Sequence, residues 1–211
     1  MNRFSAKTWR SHLQDLGLET KTDLFTILQR AYNAPHRHYH TATHIADCLA
    51  QLQQHQALAL RPAEVAIALW FHDAVYHPQR SDNEARSAAW ARRYLTAAGL
   101  KSDICDCITQ LIRVTQHPAR PQTTDEQLMV DIDLSILGRN PQEFEMYAIA
   151  IRHEYAWVPD AVYRTQRRAF LQRLLAQENI YHTPAFQSRY EASARCNLTQ
   201  AIGHFTDQLS E

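Results

Sequence analysis

The chain has 211 residues, and 22 Lys plus Arg are balanced by 22 Asp plus Glu, so the formal net charge is zero and no global attraction draws it to nucleic acid or to an anionic membrane. Four glycines, few β-branched runs and abundant Ala, Leu, Gln and Arg favour helix over sheet. One all-α domain over residues 1–211 is expected, long enough for a well-developed core and divided by no Pro/Gly/Ser-rich linker.

Apolar spacing predicts helices at 5–16 and 22–33, with Trp9, Leu13 and Leu16 on the inner face of the first and Leu24, Ile27 and Leu28 on that of the second. Residues 33–40 read as a polar loop, because Pro35 biases its predecessor away from the helical region. The loop delivers the chain into a helix on which Ile45, Cys48, Leu49 and Leu52 follow the i, i+3, i+4, i+7 spacing, with His44 at the border of that stripe. Pro62 opens the next helix at its favoured first-turn position, Glu64 lies near the positive end of the dipole, and His72 and Asp73 fall toward the C-terminal end. Further helices are predicted at 82–98, 103–116, 125–138, 141–156, 160–179 and 184–208, separated at Gly99, Pro118, Pro121, Gly138, Pro141, Pro159 and Pro184. Arg164, Arg167, Arg168 and Arg173 form a basic stripe on one of these helices, expected as a solvated face, and net neutrality argues against a nucleic-acid surface.

The segment Met1 to Lys7 has no apolar signal core, and no apolar run approaches the ~20 residues needed to span a bilayer, so a soluble cytoplasmic protein is expected. Cys48, Cys105, Cys107 and Cys196 show no CxxC spacing and read as reduced core thiols, not as a disulfide or a zinc site. No phosphate-binding Gly-x-x-x-x-Gly-Lys loop and no dinucleotide glycine pattern occurs.

The chemistry concentrates at His72 and Asp73, which follow the apolar run Val65 to Phe71. An imidazole and a carboxylate are costly to bury alone, so such groups are hydrogen-bonded, ion-paired or metal-bound. Potential partners are His44 and the acids Asp131 and Asp133, which sit on an apolar segment with no neighbouring Lys or Arg to neutralise them. Together they place His, His-Asp and Asp on three helices. Asp133 has Met129, Val130, Ile136 and Leu137 at i±3 and i±4 and so faces the more apolar side. Asp131 lies about 200° away around the helix and is the fallback ligand. Two imidazoles and two carboxylates make a mixed N/O site suited to one divalent transition ion, Mn, Fe, Co, Ni or Zn.

The order His44, His72-Asp73, Asp133 resembles the HD superfamily of metal-dependent phosphohydrolases. The stretches Tyr39-His40-Thr-x-x-His44-Ile, Trp70-Phe-His-Asp-Ala-Val-Tyr76, Ser81-Asp-Asn-Glu84, Asp131-Ile-Asp-Leu-Ser-Ile-Leu-Gly138 and Ile151-Arg-x-Glu-Tyr155 look like one bacterial branch of it. A bare His-Asp pair arises often by chance; four ligands in order, each in a helical context, are far more specific. The resemblance implies a metal-site core over residues 30–140 with flanking helices at 1–29 and 141–208, and hydrolysis by metal-activated water of a small phosphorylated metabolite or nucleotide.

Other residues carry two readings each. Arg37 and His40 could bind substrate phosphate, though Arg37 could equally belong to a solvated loop. His77 stands where some HD hydrolases carry an acidic residue that orients water; it could accept a proton near neutral pH or simply cap the helix end. Ser81 with Glu84 is a capping-box signature, yet Asp82 or Glu84 could fold back to position water. His117 is a substrate or proton-transfer candidate. Arg152 and Tyr155, at i and i+3, could meet an anionic substrate or bridge helices. Two other functions stay open: an HD-like di-iron oxygenase, which needs extra histidines, and a non-catalytic sensor that retains the ion. Exposed apolar helix faces could pair chains into a homo-oligomer, which the sequence leaves open.

Overall fold

Among the described residues, which are 3–19, 24–116 and 120–207 of a computed structural model, all regular structure is helical: ten α-helices and two 3₁₀ turns. They fall into two compact units, residues 1–132 and 133–211.

In the first unit, Ser5 caps helix α1 (Ala6–Asp15) by accepting the Thr8 N–H at 3.2 Å. The helix stops where Gly17 takes φ +72°, which lets the Leu18 N–H reach Leu13 O at 2.9 Å and the Gly17 N–H reach Gln14 O at 2.8 Å. Helix α2 (Leu24–Tyr32) follows, then the loop through Pro35, then α3 (Ala42–Gln54), whose Thr41 cap accepts from the Thr43 N–H. A 3₁₀ turn, Gln56–Leu58, leads to α4 (Pro62–Phe71). After it come α5 (Asn83–Ala97), α6 (Ser102–Arg113) and α7 (Thr124–Asp133), the last residue of α7 being the one at which the division between units falls.

Helix α4 organises this unit. From Val65 to Phe71 no residue is more than 2% exposed, and a helix apolar on every side has to lie in the interior. It packs against α1, α3, α5 and α6. Asp125, in the first turn of α7, accepts the N–H groups of Leu60 (2.7 Å) and Arg61 (3.0 Å) and so fixes the entry into α4. The Trp70 ring meets Phe4 at 4.9 Å, Trp9 at 5.4 Å and Phe25 at 6.2 Å. Its indole N–H donates to His12 Nδ1 (3.0 Å), while the Tyr32 hydroxyl donates to its carbonyl (2.9 Å). Each such buried large apolar side chain stabilises by ~1.5–3 kcal/mol relative to exposure, so the end of α4 is held firmly where His72 follows.

In the second unit, a 3₁₀ turn (Leu134–Gly138) precedes α8 (Pro141–Glu154), α9 (Asp160–Leu175) and α10 (Pro184–Asp207). The single helix predicted over 125–138 therefore tightens at Leu134. Its carbonyls are taken from the side: Tyr181 Oη donates to Leu134 O (3.1 Å), and Asn197 Nδ2 donates to Leu137 O and Arg139 O, both at 2.9 Å. Asn140 caps α8 by accepting the Glu143 N–H at 2.9 Å. Along α10, Phe186, Tyr190, Ala194, Asn197 and Leu198 are buried at i, i+4, i+8, i+11 and i+12, one continuous stripe. The basic stripe of α9 departs from its expected solvated state: Arg164, Arg167 and Arg168 are half-buried, Arg167 donating to Tyr147 Oη at 2.7 Å, and only Arg173 is exposed.

Candidate metal centre

His44 lies in the first turn of α3, and His72 and Asp73 occupy the turn directly after Phe71, one step beyond the helix predicted to carry them. His44 and His72 are 5% and 1% exposed, and the Asp73 side chain 13%. Three atoms converge: His44 Nε2 to His72 Nε2 is 3.2 Å, His72 Nε2 to Asp73 Oδ2 is 3.2 Å, and His44 Nε2 to Asp73 Oδ2 is 3.6 Å. Donors bound at ~2.1 Å to one tetrahedral or octahedral ion stand roughly 3.0–3.5 Å apart, the spacing of this triangle.

The protonation of His72 is set by its other nitrogen. Nδ1 lies 2.9 Å from Leu69 O, a group that only accepts, so Nδ1 carries a proton and Nε2 is the nitrogen turned to the cluster. Nε2 faces both His44 Nε2 and an Asp73 oxygen, the side on which the cluster lies. Burial by itself would raise the Asp73 carboxyl, but the positive charge of the His72, His40 and His44 imidazoles when they are protonated, with a hydrogen bond from His72, outweighs it and holds the group well below the ordinary carboxylate range.

Asp133, the last residue of α7, offers a carboxylate oxygen that lies with ligand atoms of His44, Cys48 and His72 in a set whose members are all within 4.8 Å of one another. Asp131, two residues earlier, is fully buried and outside that set. Cys48, one turn after His44, was not among the residues that sequence reasoning put near the chemistry; its i+4 spacing from His44 was the available signal. Its Sγ is 3.7 Å from both ring nitrogens of His44, hence on the plane that bisects the ring. An ion on the Nε2 lone-pair axis would be at least ~4 Å from that sulfur, against the ~2.3 Å of a zinc–thiolate bond. In this rotamer Cys48 packs on the His44 ring, and Asp73 is the residue that forms the closer triangle with His44 and His72.

The remaining predicted residues have definite places. Arg37 is buried, not in a solvated loop, and donates to the carbonyls of His40 (2.9 Å), Asp73 (2.7 Å) and Ala74 (3.1 Å). His40 is half-buried, stacked on Tyr76 at 4.2 Å and edge-on to His44 at 6.0 Å. His77 is exposed; its backbone is clipped to Asn83 through His77 N–H to Oδ1 (3.1 Å) and Nδ2–H to His77 O (3.0 Å), and its Nδ1 accepts from the Gln79 N–H. Asp82 pairs with Arg80 (2.7 Å) and Arg86 (2.9 Å), and its hydrogen bonds to both hold its carboxyl well below the ordinary range. The capping box expected at Ser81 and Glu84 does not form, because Asp82 takes the cap position of α5 and the Ser81 carbonyl accepts from Gln116 Nε2 instead. Glu84 is half-buried in the first turn of α5. His117 lies outside the described residues. In the second unit, Arg152 donates to Tyr155 O (2.7 Å) and Val158 O (3.3 Å) and covers the Tyr163 ring, so it closes the end of α8, and Tyr155 is the C-cap there.

Two residues missed in the sequence pin the turn after the doublet: Ser87, whose hydroxyl bonds the N–H (3.0 Å) and C=O (3.2 Å) of Val75, and Asn83, one helical turn before it. Among the described residues no helix is long and apolar enough to cross a membrane. No protein-family model matches the chain, and no curated protein and no solved structure matches it either.

Proposed function

We propose that this chain is a metal-dependent phosphohydrolase of the HD type. It acts on a small phosphorylated metabolite or nucleotide and holds one divalent transition ion, Mn, Fe, Co, Ni or Zn, through His44, His72, Asp73 and Asp133. The observation that carries the proposal is the triangle of His44 Nε2, His72 Nε2 and Asp73 Oδ2 with edges of 3.2–3.6 Å, buried and oriented through Leu69 O. When bound, such an ion acidifies water and offsets the negative charge that develops on phosphoryl oxygens. The protein's part is to turn His72 Nε2 toward the cluster, to favour the ionised form of Asp73, and to keep His44 and His72 buried. His40 is stacked on Tyr76 beside His44. The choice of phosphate as substrate rests on the motif resemblance, because the Arg37 guanidinium is committed to backbone carbonyls.

Elemental analysis of the purified wild type beside His72→Ala and Asp133→Ala, with phosphate release screened over nucleotides and sugar phosphates, tests the proposal. About one ion per chain, lost together with activity in both variants, is the expected result. A wild type that stays metal-free and inactive after addition of Mn²⁺, Co²⁺ or Ni²⁺ would overturn it. An ion without turnover would instead indicate a sensor, and two irons per chain with oxygen uptake an oxygenase.

A further inference from the structure

Arg37 is 7% exposed, and its guanidinium carbon lies over two rings, Tyr32 at 5.0 Å and Tyr76 at 5.4 Å. One terminal nitrogen, Nη1, donates to both His40 O and Asp73 O; the other, Nη2, donates to Ala74 O. Three carbonyls from two separated stretches of chain are thus gathered by one rigid fork. One stretch is the loop that leads into α3 and His44. The other is the turn that carries Asp73. An ammonium could not replace it, because a point charge cannot lie flat over two rings while reaching three acceptors.

We propose that Arg37 is the positioning residue of the metal centre: by holding the Asp73 and Ala74 carbonyls against the His40 carbonyl, it sets the distance between the His44 ring and the Asp73 carboxylate. The inference rests on the metal-centre reading above. It is independent of which substrate is turned over. The backbone direction at Asp73 decides where Oδ2 stands; the turn's own bonds, His72 N–H to Ala68 O and Ala74 N–H to Phe71 O, both at 2.9 Å, use N–H groups, and the Asp73 and Ala74 carbonyls are held by Arg37. Farther along, Ser87 and Asn83 hold Val75 and His77, so Arg37 is the side chain that grips the carbonyl of the ligand residue itself.

The test is the dissociation constant for Mn²⁺, measured by equilibrium dialysis on the full chain. Wild type, Arg37→Ala, Arg37→Lys and Asn83→Ala are compared, with far-UV circular dichroism confirming the fold of each. Loss of an outer-shell partner typically weakens metal binding ~10–100-fold, and that loss is expected for both Arg37 variants, with methylguanidinium restoring binding to Arg37→Ala. Asn83→Ala, which loosens the same turn three residues farther on, should stay near the wild-type value. Folded Arg37 variants that bind Mn²⁺ as wild type does would overturn the proposal. It also falls if Asn83→Ala loses as much affinity as Arg37→Ala, or if neither Arg37 variant folds, since Arg37 then supports the fold and not the ligand. A wild type that binds no ion would instead remove the metal centre itself.

Discussion

His72 has two nitrogens with opposite duties, and the local backbone assigns them. The Leu69 carbonyl, three residues earlier, accepts the Nδ1–H at 2.9 Å, which leaves Nε2 turned to the cluster, 3.2 Å from both His44 Nε2 and Asp73 Oδ2. Long-range ¹H–¹⁵N correlation at pH 8 should therefore find His72 in the Nδ1–H tautomer, and added Zn²⁺ should shift the Nε2 resonance alone. An Nε2–H tautomer in the wild type would break the argument for an ion. His12 makes the same point away from the centre. Its Nδ1 accepts the Trp70 indole N–H, and burial lowers its pKa below the ordinary 6.5, Asp15 opposing and Arg3 assisting. The folded state therefore favours the neutral ring. The stabilisation is complete above pH 6.5, where the unfolded chain is also neutral, and is lost as pH falls from there through the lowered folded value. Urea midpoints between pH 8 and pH 5 should fall more steeply for wild type than for His12→Asn, which can accept the same hydrogen bond without titrating.

Gly138 closes the 3₁₀ turn that extends α7, and a side chain there has no room. An added Cβ would sit 2.5 Å from Tyr190 Cβ and 2.7 Å from Tyr190 O, so the body of α10 would have to move. Gly138→Ala should destabilise by at least the ~1–3 kcal/mol of an overpacked core, read as a lower urea midpoint. Gly203, with nothing within 4 Å of an added Cβ, gives the control: Gly203→Ala should stabilise α10 by ~0.5–1 kcal/mol. These two glycines look alike in the sequence, which shows where reading it stops. Every helix was legible to within a few residues, because apolar spacing and Pro or Gly punctuation are local signals. The convergence of His44, His72 and Asp73 was legible through their order and apolar setting. The close approach at Gly138 depends on packing against a segment far along the chain, which no local pattern records, while the clip of Asn83 on His77 and the seat of Cys48 on the His44 ring are local contacts that hang on side-chain rotamers, which spacing alone does not give. Ser81 and Glu84 misled for a related reason. The box they spell would cap a helix from residue 82, whereas Asp82, paired with Arg80 and Arg86, stands at the cap position and α5 starts one residue later.

A chain with two compact units need not unfold in one step, so its stability is best followed with a probe that reports one unit. Nature has placed that probe here: of the four tryptophans, Trp9, Trp70 and Trp90 belong to the first unit, and Trp157 in the second is 54% exposed. Trp157→Phe would confine the fluorescence to the first unit. His44, His72 and Asp73 lie in that unit as well, on α3 and at the end of α4, directly after Trp70. An ion bound only by the folded form stabilises by mass action, ~2.7 kcal/mol at 100 times its dissociation constant. The fluorescence-detected melting midpoint of Trp157→Phe should accordingly rise with Mn²⁺ in proportion to the logarithm of its concentration. The same chain carrying His72→Ala should show no rise. A midpoint indifferent to an ion that dialysis shows to be bound would place that ion outside the first unit and detach the His72 cluster from metal binding.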